Sequence, residues 1–445
     1  MKKNLSKYVP YLIVVVLLLT VSIFLKIKIT NDEKIKAVIP DEMKNKQIVT
    51  IWIRDGADSK TREYQVDKFN KANKDIYIDL KVYNTNDYFN YLRMALASDK
   101  KVDIFQYGYY ELLKNSNLLN IDDLGLDKSL INRDNLLNFE GKPYGVKVLG
   151  NDVKLIWNKD IFKEAGLDPN KPPKTWDDLI KYSQLIKEKC PGIVPFEFPA
   201  STWGELKSSI GEIAANQGPI YTTFWNYKDG KYDFSYAKDI LSKFNYIYNN
   251  GLTINSLDKN STEDVRKDFY EKKTAMTIST YEDKTYYTNI VPLNFSTGVD
   301  NLPKLKLSDT ENYFYTENYS ALVVNKNITN KEAVKKVYEW LLSEDVNNEL
   351  YKTGIVLPSN FNNKGTSGGL YGEYNNASNF SHETLDPTNY TNYNPEMTRK
   401  LLVDAIEGKE KIDDVINTLN SNYAGYVNFI EKADGLDFNK YKINK

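Results

Sequence analysis

The chain has 445 residues, about three times the ~150 residues of a single domain, so more than one folded lobe is expected. Its 59 basic and 60 acidic residues leave a net charge of −1, which excludes the basic excess of a nucleic-acid binder and any general attraction to anionic lipid. One cysteine, Cys190, and one histidine, His382, exclude an internal disulfide and a cysteine-only zinc site, and would rest any Ser-His-Asp triad, histidine-based zinc site or haem ligation on one side chain in a Gly/Asn/Ser-rich stretch. In excess are 34 Tyr, 18 Phe and 6 Trp. Tyrosine joins a flat apolar face to a hydroxyl and suits binding surfaces, although codon bias toward Tyr, Asn, Lys and Ile would produce the same excess.

Val9 to Leu25 is apolar apart from Pro10, Thr20 and Ser22, with lysines on both sides. It is long for a secretory signal and at the short end for a membrane span. Neither a small-x-small cleavage site nor a lipoprotein cysteine follows it. The expectation is an uncleaved signal anchor, with the polar stretch Asn31 to Lys46 as a tether and the rest of the chain on the extracellular face of the membrane. Lysine placement alone does not set the orientation.

Ile48 to Ile53 (IVTIWI) then reads as a buried strand ending at the turn Arg54-Asp55-Gly56. Thr61 to Asn73 suits a surface helix, and Ile76 to Val82 alternates as a half-buried strand. A helix around Tyr88 to Ala97 leads to the short run Val102 to Phe105. Strand and helix alternating in this way predict a mostly parallel α/β sheet. Val153 to Trp157, Thr274 to Ser279 and Ser320 to Val324 are further strand candidates. Thr175-Trp176-Asp177-Asp178 resembles a capping box opening a helix. Thr329 with Glu332 opens an amphipathic helix whose apolar pairs recur every four residues. Asn360 to Asn394 is a long irregular connection, and helices are predicted over Met397 to Glu407 and Ile412 to Leu419.

The adjacent carboxylates Asp122-Asp123, Asp177-Asp178 and Asp413-Asp414 lie at predicted helix starts, where negative charge offsets the dipole. Gly368-Gly369 lacks a phosphate-loop context and no Asp cluster has calcium-loop spacing, so neither cofactor nor metal is expected. In an open α/β sheet the ligand sits beyond the carboxyl ends of the strands, which puts Arg54-Asp55, Gln106-Tyr107 and Asn151-Asp152 in contention. A hydroxyl-rich ligand needs such groups, because each hydroxyl buried unpaired costs about 1–3 kcal/mol.

The run LIWNKDIFKEAGLDPNKPPKTWDDLIKYSQLIKE, Leu155 to Glu188, resembles the family 1 extracellular solute-binding proteins, among them the maltose-binding proteins of ABC importers. IVTIWI, FNKANKDIYI, VDIFQYG, GKPYGV, DFYEKKTAMTIS and SALVVNKNITNKEAVKKVYEWLLS match in order, so the resemblance covers nearly everything after Lys46. It implies a periplasmic-binding-protein-like fold: two α/β lobes joined by a crossing-strand hinge, with crossings near Val153 to Asn158 and Asn318 to Val323. The implied division is residues 1–45 as signal anchor and tether, 46–155 with 319–358 as one lobe, and 156–318 with 370–445 as the other.

Site residues carry over one by one. The loop after the first strand matches Arg54, Asp55 and Asp58, and the segment after VDIF offers Gln106, Tyr107 and Tyr109, which keep a stacking surface but lack the charges found in maltose-binding proteins. A family acidic contact falls at Asn151 with Asp152 beside it. Trp203 and Tyr281 stand where the second lobe carries ligand aromatics, and Tyr319 replaces part of a glycine-rich turn. Trp52, Trp157 and Trp340 read as core. The resemblance implies a non-enzymatic protein that captures a polar small molecule, a sugar or oligosaccharide, and hands it to an ABC permease. Two readings from other classes stay open: a ligand-sensing accessory of a membrane receptor and an extracellular carbohydrate-active enzyme.

Overall fold

A computed structural model describes residues 43–98, 102–108, 112, 117–132, 135–309, 314–316, 320–359 and 394–442. Val9 to Leu25, Tyr109, Tyr319, Gly368-Gly369 and His382 lie outside them. Two compact units divide at Gln47. Of the first, only 43–47 are described, and they open with a turn in which the Lys46 amide donates to the Met43 carbonyl (3.2 Å). The second is Ile48–Lys445. Among the described residues no helix is long and apolar enough to cross a membrane.

The first apolar run forms β1 (Gln47–Arg54). Alternate side chains of a strand point to opposite faces, so Val49, Ile51 and Ile53 join one apolar cluster and Trp52 another. Both faces are therefore covered, and each buried Val or Ile contributes about 1.5–3 kcal/mol. Then follow α1 (Ser59–Ala72), β2 (Ile76–Tyr83), α2 (Thr85–Leu96) and β3 (Ile104–Gln106), in the expected alternation. A hairpin of β4 (Leu136–Phe139) and β5 (Lys142–Lys147) and the distant β13 (Ala321–Val324) complete a sheet of order β2-β1-β3-β13-β5-β4. β1 and β3 are parallel, but β13 runs antiparallel to both β3 and β5, so the sheet is mixed. No period in the sequence marks the β4–β5 hairpin, because Pro143 and Gly145 interrupt β5; its turn is made by Glu140 and Gly141 at φ 48° and 76°.

The second sheet centres on β6 (Leu149–Asn158), with β7 (Val194–Glu197), β10 (Thr274–Thr280) and β11 (Thr297–Asn301) in the order β11-β6-β10-β7. Between β7 and β10 lies a small ribbon of β8 (Trp225–Asn226) and β9 (Lys231–Tyr232). β11 carries no strand-forming pattern, since its sequence is TGVDN. Gly298 is nonetheless required there: a Cβ on it would stand 1.9 Å from the Trp157 ring.

Only the second half of β6 is visible as an apolar run, because Gly150-Asn151-Asp152 interrupts the first; the whole strand belongs to the second sheet. The chain therefore leaves the first sheet at Val148, between β5 and β6, and from Val153 to Asn158 β6 pairs with β10 and β11. It returns between β12 (Phe314–Thr316), which pairs with β6, and β13. A further strand, β14 (Leu357–Pro358), pairs with Gly150 and Leu149 of β6. Ser320 Oγ accepts from the Leu149 amide (3.0 Å) and donates to the Leu149 carbonyl (3.1 Å). The Ser359 amide donates to the Val148 carbonyl (3.0 Å) and its hydroxyl to that of Lys147.

The helix α3 (Trp176–Lys189) opens with the expected capping box, Thr175 and Asp178 each accepting the other's amide at 3.1 Å. The amphipathic helix α4 (Lys331–Leu342) is capped by Asn330 and not by Thr329, through an Asn330 Oδ1 to Ala333 amide bond of 3.1 Å. The final helix runs to Asp434 (Ile412–Asp434), fifteen residues past Leu419; Asn420-Ser421-Asn422 breaks the apolar pattern, but Tyr423 and Ile430 continue the buried stripe until Gly435 turns left-handed.

Tyr338 of α4 ties β5 to β13: its buried hydroxyl accepts from the Val146 amide (3.0 Å) and donates to the Leu322 carbonyl (2.6 Å). Gly145 sits beside this bridge, where a Cβ would stand 2.4 Å from the Leu322 carbonyl oxygen. Gly145→Ala must push backbone against backbone, and a loss of about 1–3 kcal/mol is expected in urea unfolding; an unchanged midpoint would show that the strands separate freely.

Candidate functional site

A cavity of about 310 Å³ opens where the carboxyl ends of β1 and β3 face the start of β6 and the segment after β10. Arg54, Asp55, Asp58, Thr85 and Gln106 line it from the first sheet and its loops, and Asn151, Tyr281 and Glu282 from the second; Ile355, Val356 and Leu357 add an apolar wall. The turn after β1 is fixed from several directions. The Arg54 amide donates to Gln106 Oε1 (2.8 Å), the Asp55 amide to the Tyr83 carbonyl (2.7 Å), and the Gly56 amide to Ser59 Oγ (2.8 Å). The Arg54 guanidinium stands 5.7 Å above the Phe89 ring, and Asp58 accepts from Arg62 Nε at 3.4 Å. These contacts hold Arg54 and Asp58 in place while the Asp55 side chain stays exposed.

On the opposite wall Asn151 Oδ1 accepts the amides of Tyr281 (2.9 Å) and Asp152 (3.0 Å). One side chain thus joins β6 to the short helix Tyr281–Thr285. The Tyr281 hydroxyl accepts from Lys284 Nζ at 3.2 Å, and the same ammonium lies 5.0 Å from the ring centroid. Burial lowers the Lys284 pKa. Tyr281 is only 2% exposed, so it forms the floor of the cavity rather than a projecting platform.

Six expected residues, Arg54, Asp55, Asp58, Gln106, Asn151 and Tyr281, are therefore brought together. Tyr107 is buried in the core, its amide donating to the Ala321 carbonyl (2.7 Å). Asp152 is buried against Lys154 (2.9 Å), and Trp203 is half-buried 6.4 Å from Phe224. None of these three lines the cavity.

A second cavity of about 270 Å³ shares Asn151 and Glu282 with the first. Val265 and Ile278 give it apolar walls, and Glu205, Lys207, Arg266, Asp283 and Tyr287 give it polar ones. Arg266 Nε donates to Asp283 Oδ1 (2.6 Å) and its Nη1 to Glu263 (2.9 Å). Burial alone would lower the Arg266 pKa, but Asp283 outweighs it and holds the charge. Burial would likewise raise the Glu205 carboxyl, yet it lies low because it accepts from the amides of Thr262 (2.7 Å) and Thr202 (2.8 Å) and the hydroxyls of Ser201 and Thr262 (2.8 Å each). The sequence offered no sign of this second cavity, because its walls come from four separate segments with no common spacing. Glu282 could have been noticed as the neighbour of Tyr281. Among the described residues no group of three or more His, Cys, Asp or Glu is placed to hold a metal.

Two carboxyls of the second sheet are buried without full compensation. Burial pushes Asp152 up to about 6 against the pull of Lys154, and pushes Glu197 up to about 7 even though the Thr274 hydroxyl donates to it.

The sequence model of bacterial extracellular solute-binding proteins matches residues 55–348. The melibiose/raffinose/stachyose-binding protein MelE of Bacillus subtilis is 30% identical over 173 residues, 38% of this chain and 39% of that protein. The sn-glycerol-3-phosphate-binding periplasmic protein UgpB of Shigella flexneri is 64% identical over 33 residues, 7% of this chain and 8% of that one. The chain thus matches well under half the length of either relative. Among solved structures, the cyclic alpha-maltosyl-1,6-maltose binding protein from Arthrobacter globiformis superimposes with a TM-score of 0.65 at 19% identity, over 86% of this chain and 99% of that one. The fold is periplasmic-binding-protein-like.

The buried carboxyls make stability depend on pH. In the folded chain Asp152 and Glu197 keep their protons up to about 6 and about 7, whereas in the unfolded chain both release them near ~4. The folded state binds the extra protons in that window, so stability is greatest below it and falls as pH rises through it. The urea midpoint should drop between pH 4.5 and 8. Glu197→Gln should flatten that slope, with a gain of about 1–3 kcal/mol at pH 8; a slope equal to that of the wild type would remove Glu197 as its cause.

Proposed function

This chain belongs to the bacterial extracellular solute-binding proteins, and from that membership we propose that it captures a saccharide between two lobes and delivers it to an ABC permease. The observation that carries this reading is a cavity lined by Arg54, Asp55 and Gln106 from one sheet and by Asn151, Tyr281 and Glu282 from the other. A ligand that touches both walls is bound more tightly when they approach, and this difference in affinity drives closure. The proposed lobes are residues 46–155 with 319–358 and 156–318 with 370–445, with residues 1–45 tethering them at the outer face of the membrane. The saccharide class is supported by the sugars in the name of MelE and by the donor and acceptor mixture of the cavity walls.

Asp55 is exposed at the cavity, while Arg54, Asn151 and Tyr281 are held by protein contacts that orient them. Asp152 and Tyr107 act from behind, one through β6 and the other through the end of β3. The protein performs no covalent chemistry in this reading.

Titration calorimetry against raffinose, stachyose and maltotetraose tests it, with product analysis and small-angle scattering on the same samples. Saturable binding, no released sugar and a smaller radius of gyration with ligand are expected. Asp55→Ala, at an exposed position, should weaken binding about tenfold or more with an unchanged melting temperature, as for the loss of about 1–3 kcal/mol of hydrogen bonding to a charged group. Hydrolysed sugar, or absence of binding to every glycan, would sink the proposal.

A further inference from the structure

Asn151 and Glu282 line both cavities, so the two adjoin there; the groove is the two taken together. At that junction Asn151 Oδ1 is occupied by the amides of Tyr281 and Asp152. Glu282 differs: it lines both cavities, and among the described residues no ion pair engages it. Its neighbour Asp283 takes the Arg266 guanidinium at 2.6 Å, and Glu263 takes the remaining arm of that arginine at 2.9 Å. Arg54 on the facing wall lies over the Phe89 ring.

The charges lining the groove are unbalanced. Asp55, Asp58, Glu205, Glu282 and Asp283 are five carboxylates against the three cations Arg54, Lys207 and Arg266. Desolvation, and after it Asp283, push the Glu282 carboxyl up, the direction expected where cations do not fully compensate a carboxylate. A carboxylate is an acceptor only: its two oxygens suit a pair of sugar hydroxyls and repel another anion.

We propose that Glu282 is a specificity-determining residue of this groove, accepting hydroxyls of a neutral saccharide that lies across both cavities and turning away phosphorylated or acidic saccharides. This inference rests on the sugar-binding reading above and narrows it. The two curated relatives fall on opposite sides of the distinction, one named for melibiose, raffinose and stachyose and the other for sn-glycerol 3-phosphate.

The test is calorimetry on the full-length protein at neutral pH with stachyose and maltotetraose as neutral probes and trigalacturonate and sn-glycerol 3-phosphate as acidic ones. The wild type should bind a neutral probe and neither acidic one. Glu282→Gln should weaken the neutral probe about tenfold, and Glu282→Lys should admit at least one acidic probe; unchanged thermal melts keep unfolding out of the comparison. Neutral affinity within about twofold of wild type in Glu282→Gln, exclusion by Glu282→Lys as complete as in the wild type, or acidic probes bound by the wild type as tightly as neutral ones would each overturn the inference while leaving the sugar-binding reading in place. Failure of every neutral probe on the wild type would overturn that reading, and this selectivity with it.

Discussion

The backbone from Lys147 to Leu149 is the constraint on which the rest of the molecule depends. There the chain leaves one sheet and enters the other, and two later passes are bound to the same three residues. Ser320 brackets the amide and carbonyl of Leu149, and Ser359 takes the carbonyls of Val148 and Lys147. Buried backbone groups must be paired, and here side chains and amides from distant parts of the chain supply the partners. Because these bonds cluster within a few residues, the segments that join the sheets are registered against one another at one place.

That registration also builds the cavity. β6 begins at Leu149, so two residues later Asn151 stands opposite the loop after β1 and holds the amide of Tyr281. The open carboxyl ends of β1 and β3 supply one wall, as in other open α/β sheets. The other wall comes from an antiparallel pair, β6 with β10, whose register sets Val153 beside Thr280 and so brings Tyr281 and Glu282 to the cavity. Polar groups on both walls are oriented by bonds to the protein before any ligand arrives, which reduces the ordering cost of binding.

Much of this was legible in the chain. IVTIWI, apolar on both faces, reads as a buried strand, and the Thr175 capping box and the α4 stripe follow from local chemistry. The turn after β1 could be named as a site from Arg54 and Asp55 because strand ends are where such sheets bind. Tyr281 was legible in position but not in posture: sequence suggests an exposed stacking ring, whereas Asn151 and Lys284 hold it as a buried floor. Tyr107 likewise follows a strand end, yet its amide pairs with Ala321 and its ring enters the core, a choice made by β13 from more than 200 positions later in the chain.

By itself the sequence determined the alternation of strands and helices, the charge balance, the poverty of histidine and cysteine, and the order of motifs that marks the family. These are local or compositional properties, set by periodicities of two and near four and by the chemistry of caps and turns. The tertiary structure alone decided where the sheets exchange strands, which polar residues share a cavity, and that Glu282 lies between two cavities while Arg266 is taken by Asp283. Each of those depends on contacts between residues far apart in the chain, and no local pattern encodes the distance at which two such groups come to rest.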